Sequence, residues 1–404
     1  MGDAYKAEKI SDNVYWVGAV DWSIRDFHGY ATGRGSSYNA YLILGEKITL
    51  VDAVKAPYYD ELITRISSVI DPSRIDYVVS NHAEMDHSGC LNQLVRHVKP
   101  EKLFASPNGK KALLQHFHEP MDITAIEDCK PIDLGNMKLV PIITPMLHWP
   151  DSMMTYLDVD GVLFSQDGFG MHLASTERFA DELPADGVWY ETAKYFANIL
   201  TPFGLQIKKT LQKIQGLDID IKIIANDHGP LWRGPLIDRV IGKYIEWCDQ
   251  APVKKAVITY ASMWHSTEKM ARAVASGVWS KGVSVKLEPL GATHRSDIMT
   301  ELLEAGAFVL GTPTLNNQMF PTVADFLCYM NGLRPKNLVA ATFGSYGWSG
   351  QAPKIAADIL ESMKLDMLEA PLKHIYVPDQ EALDNCYALG ERVGQAVLDK
   401  CEKG

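Results

Sequence analysis

The chain has 404 residues, 47% of them hydrophobic and 22% charged, which is long enough for two or three domains with full cores and no need of staples. Its six cysteines are scattered with no Cys-x-x-Cys pair, which excludes a disulfide framework and a thiolate metal site, and no apolar run reaches the ~18 residues of a membrane span. The net charge of -11 lies almost wholly in residues 1–250, because residues 251–404 hold 15 Lys+Arg against 16 Asp+Glu; an acidic, unpatterned surface argues against nucleic acid or an anionic membrane as partner. The polar start, Met1 to Lys6, lacks a signal-peptide core, so a reducing cytoplasm is expected.

In chain order, Val14–Val17, Tyr38–Leu44 and Ile48–Ala53 read as short strands, the last two joined by a turn at Gly45-Glu46-Lys47. A helix follows from Pro57, with Leu62, Ile63, Ile66, Val69 and Ile70 at helical spacing and Pro72 as its stop. The apolar strand Ile75–Val79 then runs into Asn81-His82-Ala83-Glu84-Met85-Asp86-His87, two imidazoles and two carboxylates within a single short loop. Such a donor set at a strand end is that of a metal site. The alternation of His82, Glu84 and Asp86 predicts an extended segment sending three donors to one side, with His87 free to turn toward a second ion. Ser88 is expected to cap the next helix.

Later strands end in further candidate ligands. Leu139–Ile143 leads to His148, Val162–Ser165 to Asp167, and Ile221–Ala225 to His228. Loops at one end of a sheet converge, so residues distant in sequence share a site. Singly, each histidine reads as a surface or hydrogen-bonded group; beside the cluster they read as ligands. Between them lies a helical stretch from Ala185 to Gly216, with an apolar stripe at Trp189, Tyr190, Ala193, Phe196, Ala197 and Leu200 that breaks at Thr201-Pro202. Tyr195 in this helix, and His28 and His172 in glycine-containing loops, are candidates for groups beside the metals, with plain packing as the alternative.

Near Pro252 the pattern changes to strict strand and helix alternation, which places domains at 1–250 and 251–404. Strands are expected at Val253–Tyr260, Val283–Leu287, Ala307–Leu310, Leu338–Thr342 and Ile375–Val377, giving a doubly wound five-stranded parallel sheet. Ligands of such a sheet sit off the carboxyl ends of the strands. Three loops lie there. Ser262-Met263-Trp264-His265-Ser266-Thr267 opens a helix and offers hydroxyls and free amides to a phosphate. Thr312-Pro313-Thr314-Leu315-Asn316-Asn317 and Gly344-Ser345-Tyr346-Gly347-Trp348-Ser349-Gly350 add backbone groups and aromatic faces suited to a flat heterocycle. Alone, each loop reads equally as a helix cap or turn; together, at the correct strand ends, they predict a ligand. Tyr346 and Trp348, and then Trp264, are the candidates for packing on its rings, while His265 points either to solvent or to the phosphate.

On these motifs the first part resembles a metallo-β-lactamase-type αββα domain and the second a flavodoxin. In this order they resemble the A-type flavoproteins, the flavo-diiron family. The family motif His-x-Glu-x-Asp-His, followed by distant His, Asp and His, maps onto His82, Glu84, Asp86, His87, His148, Asp167 and His228. The resemblance implies iron held by His82, Glu84 and His148, a second iron held by Asp86, His87 and His228, Asp167 between them, and FMN in the second domain. It implies four-electron reduction of dioxygen to water, and a head-to-tail homodimer or higher oligomer in which the flavin of one copy faces the iron of another. The full-length likeness is to members that oxidise reduced coenzyme F420 and end after the flavodoxin domain. Nitric oxide as acceptor and rubredoxin as donor are the alternatives within the family; a zinc hydrolase with a regulatory flavin domain, and a non-catalytic electron carrier, are the alternatives to it. Glu84 weighs against zinc. It stands where hydrolases of this fold carry a histidine, and anionic oxygen donors favour an ion that reaches the trivalent state.

Overall fold

The computed structural model describes residues 5–403, which divide into two compact units. The first comprises the chain up to His28, Thr32–Tyr195 and Phe203–Tyr244, and the second the segments Gly29–Ala31 and Phe196–Pro202 with the chain from Ile245 onward. The division between Tyr244 and Ile245 falls inside the helix Pro235–Asp249. Among the described residues no helix is long and apolar enough to cross a membrane.

The first unit holds two mixed sheets. One has seven strands in the order Glu8–Lys9, Val14–Trp16, Tyr41–Ile43, Thr49–Val51, Tyr77–Ser80, Lys102–Ala105 and Ile123–Ala125, antiparallel at first and parallel from Thr49–Val51 onward. The other has six, from Ile132–Asp133 through Lys138–Ile143, Met153–Leu157, Val162–Gln166 and Ile223–Asn226 to Trp232–Arg233. Trp16, Tyr41, Val79 and Phe104 of the first sheet and Leu139, Leu157, Phe164 and Ile223 of the second share one core, which is why strand residues on those faces are apolar. A second core joins Leu42, Leu50 and Val78 on the first sheet's outer face to Leu62 and Ile66 of helix Tyr59–Ser67, Leu91, Leu94 and Val98 of Leu91–Val98, and Leu113 of Pro107–Phe117.

Two local expectations are corrected. Met85–Ser88 is a turn of helix, so the loop is extended only as far as Glu84, and Asp86 leaves the side to which His82 and Glu84 point. Ser88 caps nothing; its hydroxyl donates back to the carbonyls of Ala83 and Glu84, and Cys90 occupies the start of the next helix without a side-chain cap. The stretch Ala185–Gly216 is helical and interrupted at Thr201-Pro202 as expected, but its first part is not uniform: it runs as α-helix to Tyr195, a π-helical turn Phe196–Leu200, a 3-10 turn Thr201–Phe203 and an α-helix Gly204–Gln215. π-turns of this kind recur next to functional sites.

The second unit is a parallel sheet in the order Ser284–Pro289, Val253–Tyr260, Ala305–Gly311, Val339–Tyr346 and Asp366–Met367. Helices Ser266–Ser280 and Gln380–Lys403 cover one face through Met270, Val274, Val278, Leu389 and Val393. Arg295–Leu302, Pro321–Leu333 and Ala352–Ser362 cover the other through Ile298, Phe326 and Leu360. Both faces are therefore buried, and the central strands read as continuous apolar runs. The fifth position is split. Asp366–Met367 pairs with one end of Val339–Tyr346 and Leu372–Ile375 with the other, so the strand expected at Ile375–Val377 ends where Tyr376, at φ +56°, turns the chain away.

Candidate functional site

Asn81 fixes where the donor loop begins. Its backbone N–H and side-chain amide donate to the two carboxylate oxygens of Asp52 at 2.6 and 2.8 Å, and Asp52 itself is left-handed, φ +58°, just past strand Thr49–Val51. From there the loops after four strands deliver their donors to one place. His82, Glu84, His148 and Asp167 form one group and Asp86, His87 and His228 another, the ligating atoms of each lying within 4.8 Å of one another.

Asp167 divides between the groups. Its Oδ2 lies 3.3 Å from His82 Nε2 and 3.1 Å from His148 Nε2; its Oδ1 lies 3.1 Å from His87 Nε2 and 3.4 Å from His228 Nε2. Glu84 Oε2 stands 3.4 Å from both His82 and His148, and Asp86 offers one oxygen to His87 at 3.4 Å and the other to His228 at 3.2 Å. Yet His82 Nε2, His87 Nε2, both oxygens of Asp86 and Oδ1 of Asp167 are buried without a hydrogen bond. Buried polar atoms left in that state are costly unless a cation takes them.

The electrostatics agree. Burial pushes the Asp86 and Asp167 carboxyls upward, but the facing imidazoles outweigh it and hold both well below the usual carboxylate range. Burial pushes His82 and His87 down, but the carboxylates of Asp151, Asp167 and Glu84 lift His82, and those of Asp86 and Asp167 lift His87, well above an ordinary imidazole. The cluster thus attracts positive charge, which protons or metal ions supply in competition. Nitrogen and carboxylate donors in two groups sharing one carboxylate fit a binuclear first-row metal site.

Around it, His172 is fully buried, its Nδ1 2.8 Å from Ser36 Oγ and its ring centroid 4.6 Å from that of His228; burial and His228 push it well below an ordinary imidazole. Tyr195 is buried with its ring 5.9 Å from His228, and burial together with the charges of Asp167 and Asp86 raises it well above an ordinary phenol. His28 stands at the edge, largely exposed, with Nε2 3.7 Å from Glu84 Oε1. Three groups escaped the sequence analysis. Asp151 lies behind His82 at 2.9 Å, Asp227 behind His87 at 3.4 Å, and the Ser37 carbonyl accepts from His228 Nδ1 at 2.7 Å. Asp151 and Asp227 sit within three residues of expected ligands, but each faces a histidine distant in sequence, a contact that local spacing does not encode.

The second unit presents a cleft of about 530 Å³ lined by all three expected loops. Trp264 and Trp348 flank it at 87% exposure each, leaving aromatic faces uncovered, and Ser262 Oγ is buried without a hydrogen bond. Flat uncovered rings and an orphaned hydroxyl ahead of a helix N-terminus fit a phosphorylated planar cofactor. Tyr376 and Val377 also line the cleft, although their side chains favour a strand.

Several expected residues do not line it. His265 is left-handed, φ +64°, and its exposed ring lies 2.8 Å from Glu268. Thr267 bonds to Ser345 and Thr312 to the Pro313 carbonyl. Asn316 and Asn317, both at positive φ, make the turn of the small hairpin Thr314–Leu315/Gln318–Met319, and only Asn316 reaches the cleft. Gly344 packs where a Cβ would strike the Thr312 carbonyl, Ser349 bonds to Gln351, and Gly350 lies against the Tyr346 ring. These residues shape the loops rather than the lining.

Comparison with known proteins matches the same division. The family model of the ODP family beta lactamase covers residues 37–229 and that of flavodoxin residues 258–390. The chain is 42% identical over 398 residues to rubredoxin-oxygen oxidoreductase of Megalodesulfovibrio gigas, spanning 98% of this chain and 99% of that one. It is 41% identical over 394 residues to nitric oxide reductase of Moorella thermoacetica, spanning 96% and 98%. Its fold matches the crystal structure of the flavodiiron protein from Giardia intestinalis with a TM-score of 0.96 at 34% identity, over 100% of this chain and 99% of that one. With that likeness running end to end, and with a binuclear donor cluster and a planar-cofactor cleft in the two matched regions, the chain belongs to the flavo-diiron protein family, whose cofactors are FMN and a non-haem di-iron centre.

Proposed function

We propose that this chain reduces dioxygen to water, taking electrons from reduced coenzyme F420 through FMN. His82, Glu84 and His148 would hold one iron, Asp86, His87 and His228 the other, and Asp167 would bridge them with its two oxygens. The observation that carries the binuclear part of this reading is the division of Asp167 Oδ1 and Oδ2 between the two groups. When bound, the irons and FMN supply one-electron and two-electron redox chemistry and together store about four electrons, as complete reduction of dioxygen requires.

The protein's own residues set the conditions. Glu84, Asp86 and Asp167 give the ligand set three negative charges, which favour the more highly charged state of a redox metal. Phe27, Trp149 and Phe203 wall the imidazoles, with ring centroids 6.3 Å from His228, 5.2 Å from His82 and 6.4 Å from His148. This apolar wall suits a small uncharged diatomic and limits water. Tyr195 is kept protonated by burial and by the charges of Asp167 and Asp86. His28, exposed beside Glu84, stands where protons enter from solvent. The uncovered faces of Trp264 and Trp348 suit a head-to-tail homodimer.

The second reading takes nitric oxide as acceptor or rubredoxin as donor, and the names of the two relatives above favour it. Anaerobic stopped-flow reduction separates the donors. Reduced coenzyme F420 is expected to bleach the FMN at least about tenfold faster than reduced rubredoxin at equal concentration, and the reverse order overturns the donor assignment. Turnover with dioxygen and with nitric oxide on one preparation then decides the acceptor.

A further inference from the structure

The imidazoles of the donor cluster are oriented by unlike partners, and the difference falls between its two halves. His82 points Nε2 at Glu84 and Asp167 and turns Nδ1 to Asp151, whose Oδ2 lies 2.9 Å away and also accepts the backbone N–H of Ala83 at 2.7 Å. Asp151 is 3% exposed, and Ser106 anchors it by donating its hydroxyl to the Asp151 carbonyl at 2.6 Å. In the other half His228 donates from Nδ1 to the Ser37 carbonyl at 2.7 Å, a partner without charge. His87 turns Nδ1 toward Asp227 at 3.4 Å, too long for a well-formed hydrogen bond. Only His82 therefore has a closely bonded carboxylate behind it among these three. Such a carboxylate fixes the Nδ1–H tautomer and ring orientation and makes the lone pair on Nε2 a stronger donor; a carbonyl fixes the tautomer alone.

We infer that Asp151 is the positioning residue of His82, and that through this bond it sets the metal affinity of the His82, Glu84 and His148 position without affecting the Asp86, His87 and His228 position. The inference rests on the di-iron reading above. Asp151 acts through His82, since its Oδ2 meets Nδ1, on the opposite edge of the ring from Nε2. Two substitutions separate its contributions. Asp151→Asn keeps an oxygen where Oδ2 stands, able to accept from both His82 and Ala83, and loses only the charge. Asp151→Ala removes the acceptor, leaves the Ala83 N–H unpaired, and frees the imidazole to carry its proton on Nε2, the atom that faces the metal position.

The test is anaerobic titration of the metal-depleted full chain with ferrous iron against a competing chelator, with the occupancy of each position read by anomalous diffraction at the iron edge. The wild-type chain is expected to take up about two ions. Asp151→Asn is expected to lower affinity at the His82 position about tenfold and Asp151→Ala about 100-fold, with the other position and the FMN content unchanged. Equal loss at both positions, or loss of FMN and fold together in the isosteric Asn variant, makes Asp151 a general structural residue and overturns the inference. Two ions bound at wild-type affinity in both variants overturn it as well. Should the Ala variant not fold, the Asn variant decides alone, by a tenfold loss at one position or none. If the wild-type chain itself takes up no pair of ions, the di-iron reading fails and this inference with it.

Discussion

Glu84 stands 3.4 Å from the Nε2 atoms of both His82 and His148, and its carboxyl is held below the ordinary glutamate range because those imidazoles outweigh its burial. A neutral side chain of the same shape keeps the space and loses the charge. Glu84→Gln is therefore expected to lower turnover with the acceptor about 100-fold while the rate at which the donor reduces FMN stays within about twofold. Steady-state gas consumption and anaerobic flavin bleaching, measured on one preparation, check both halves; unchanged turnover contradicts the role given to Glu84. At this scale the donors that the structure gathers into one cluster were legible because they follow apolar strands. The pairing within the His82–His87 loop was legible only through family resemblance. Alternation put Asp86 beside His82 and Glu84, whereas the helical turn beginning at Met85 sends it to His87 and His228. Asp151 was passed over because its value lies in a contact with a residue 69 positions away, and no local spacing encodes that.

Helices Ser266–Ser280 and Gln380–Lys403 approach so closely that a Cβ on Gly277 would strike the Tyr387 carbonyl and one on Gly390 the Val274 carbonyl. The contact is backbone to backbone, so no side chain yields. Gly277→Ala is expected to destabilise the flavodoxin-like unit by about 2 kcal/mol, visible as a lower denaturation midpoint, and unchanged stability contradicts the close packing. Glu301 in helix Arg295–Leu302 pairs with Lys255 at 2.6 Å and Lys286 at 3.1 Å on two neighbouring strands. Burial raises its carboxyl, but the lysines outweigh that and hold it below the ordinary value of 4.5. A depressed folded-state value means that the unfolded chain takes the proton first as pH falls. The stabilisation is present above about pH 4.5 and is lost as pH drops through the folded value. Glu301→Gln is expected to cost about 1 kcal/mol at neutral pH and nothing in strong acid, so its denaturation midpoint and the wild type's converge on acidification. Midpoints that stay parallel with pH contradict this. The strand and helix alternation of this unit was legible from its apolar runs. The split fifth strand was not, since Ile375, Tyr376 and Val377 read as continuous strand and only the left-handed turn at Tyr376 moves two of them to the cleft.

Across the whole molecule, a donor cluster that attracts metal ions and a cleft suited to a planar cofactor occur in one chain, each in its own compact unit. A hydrolytic metal site has no use for a flavin; a redox one needs a supply of electrons, and this pairing is what separates an oxidoreductase from a zinc hydrolase of related fold. The most direct measurement is an anaerobic reductive titration of the metal- and FMN-loaded chain, counting electrons taken up to full reduction. Two redox-active irons and FMN predict about four electrons per chain, about two of them without bleaching of the flavin. Uptake of about two electrons, all accounted for by the flavin, would mean that the metals do not change oxidation state and would contradict the account.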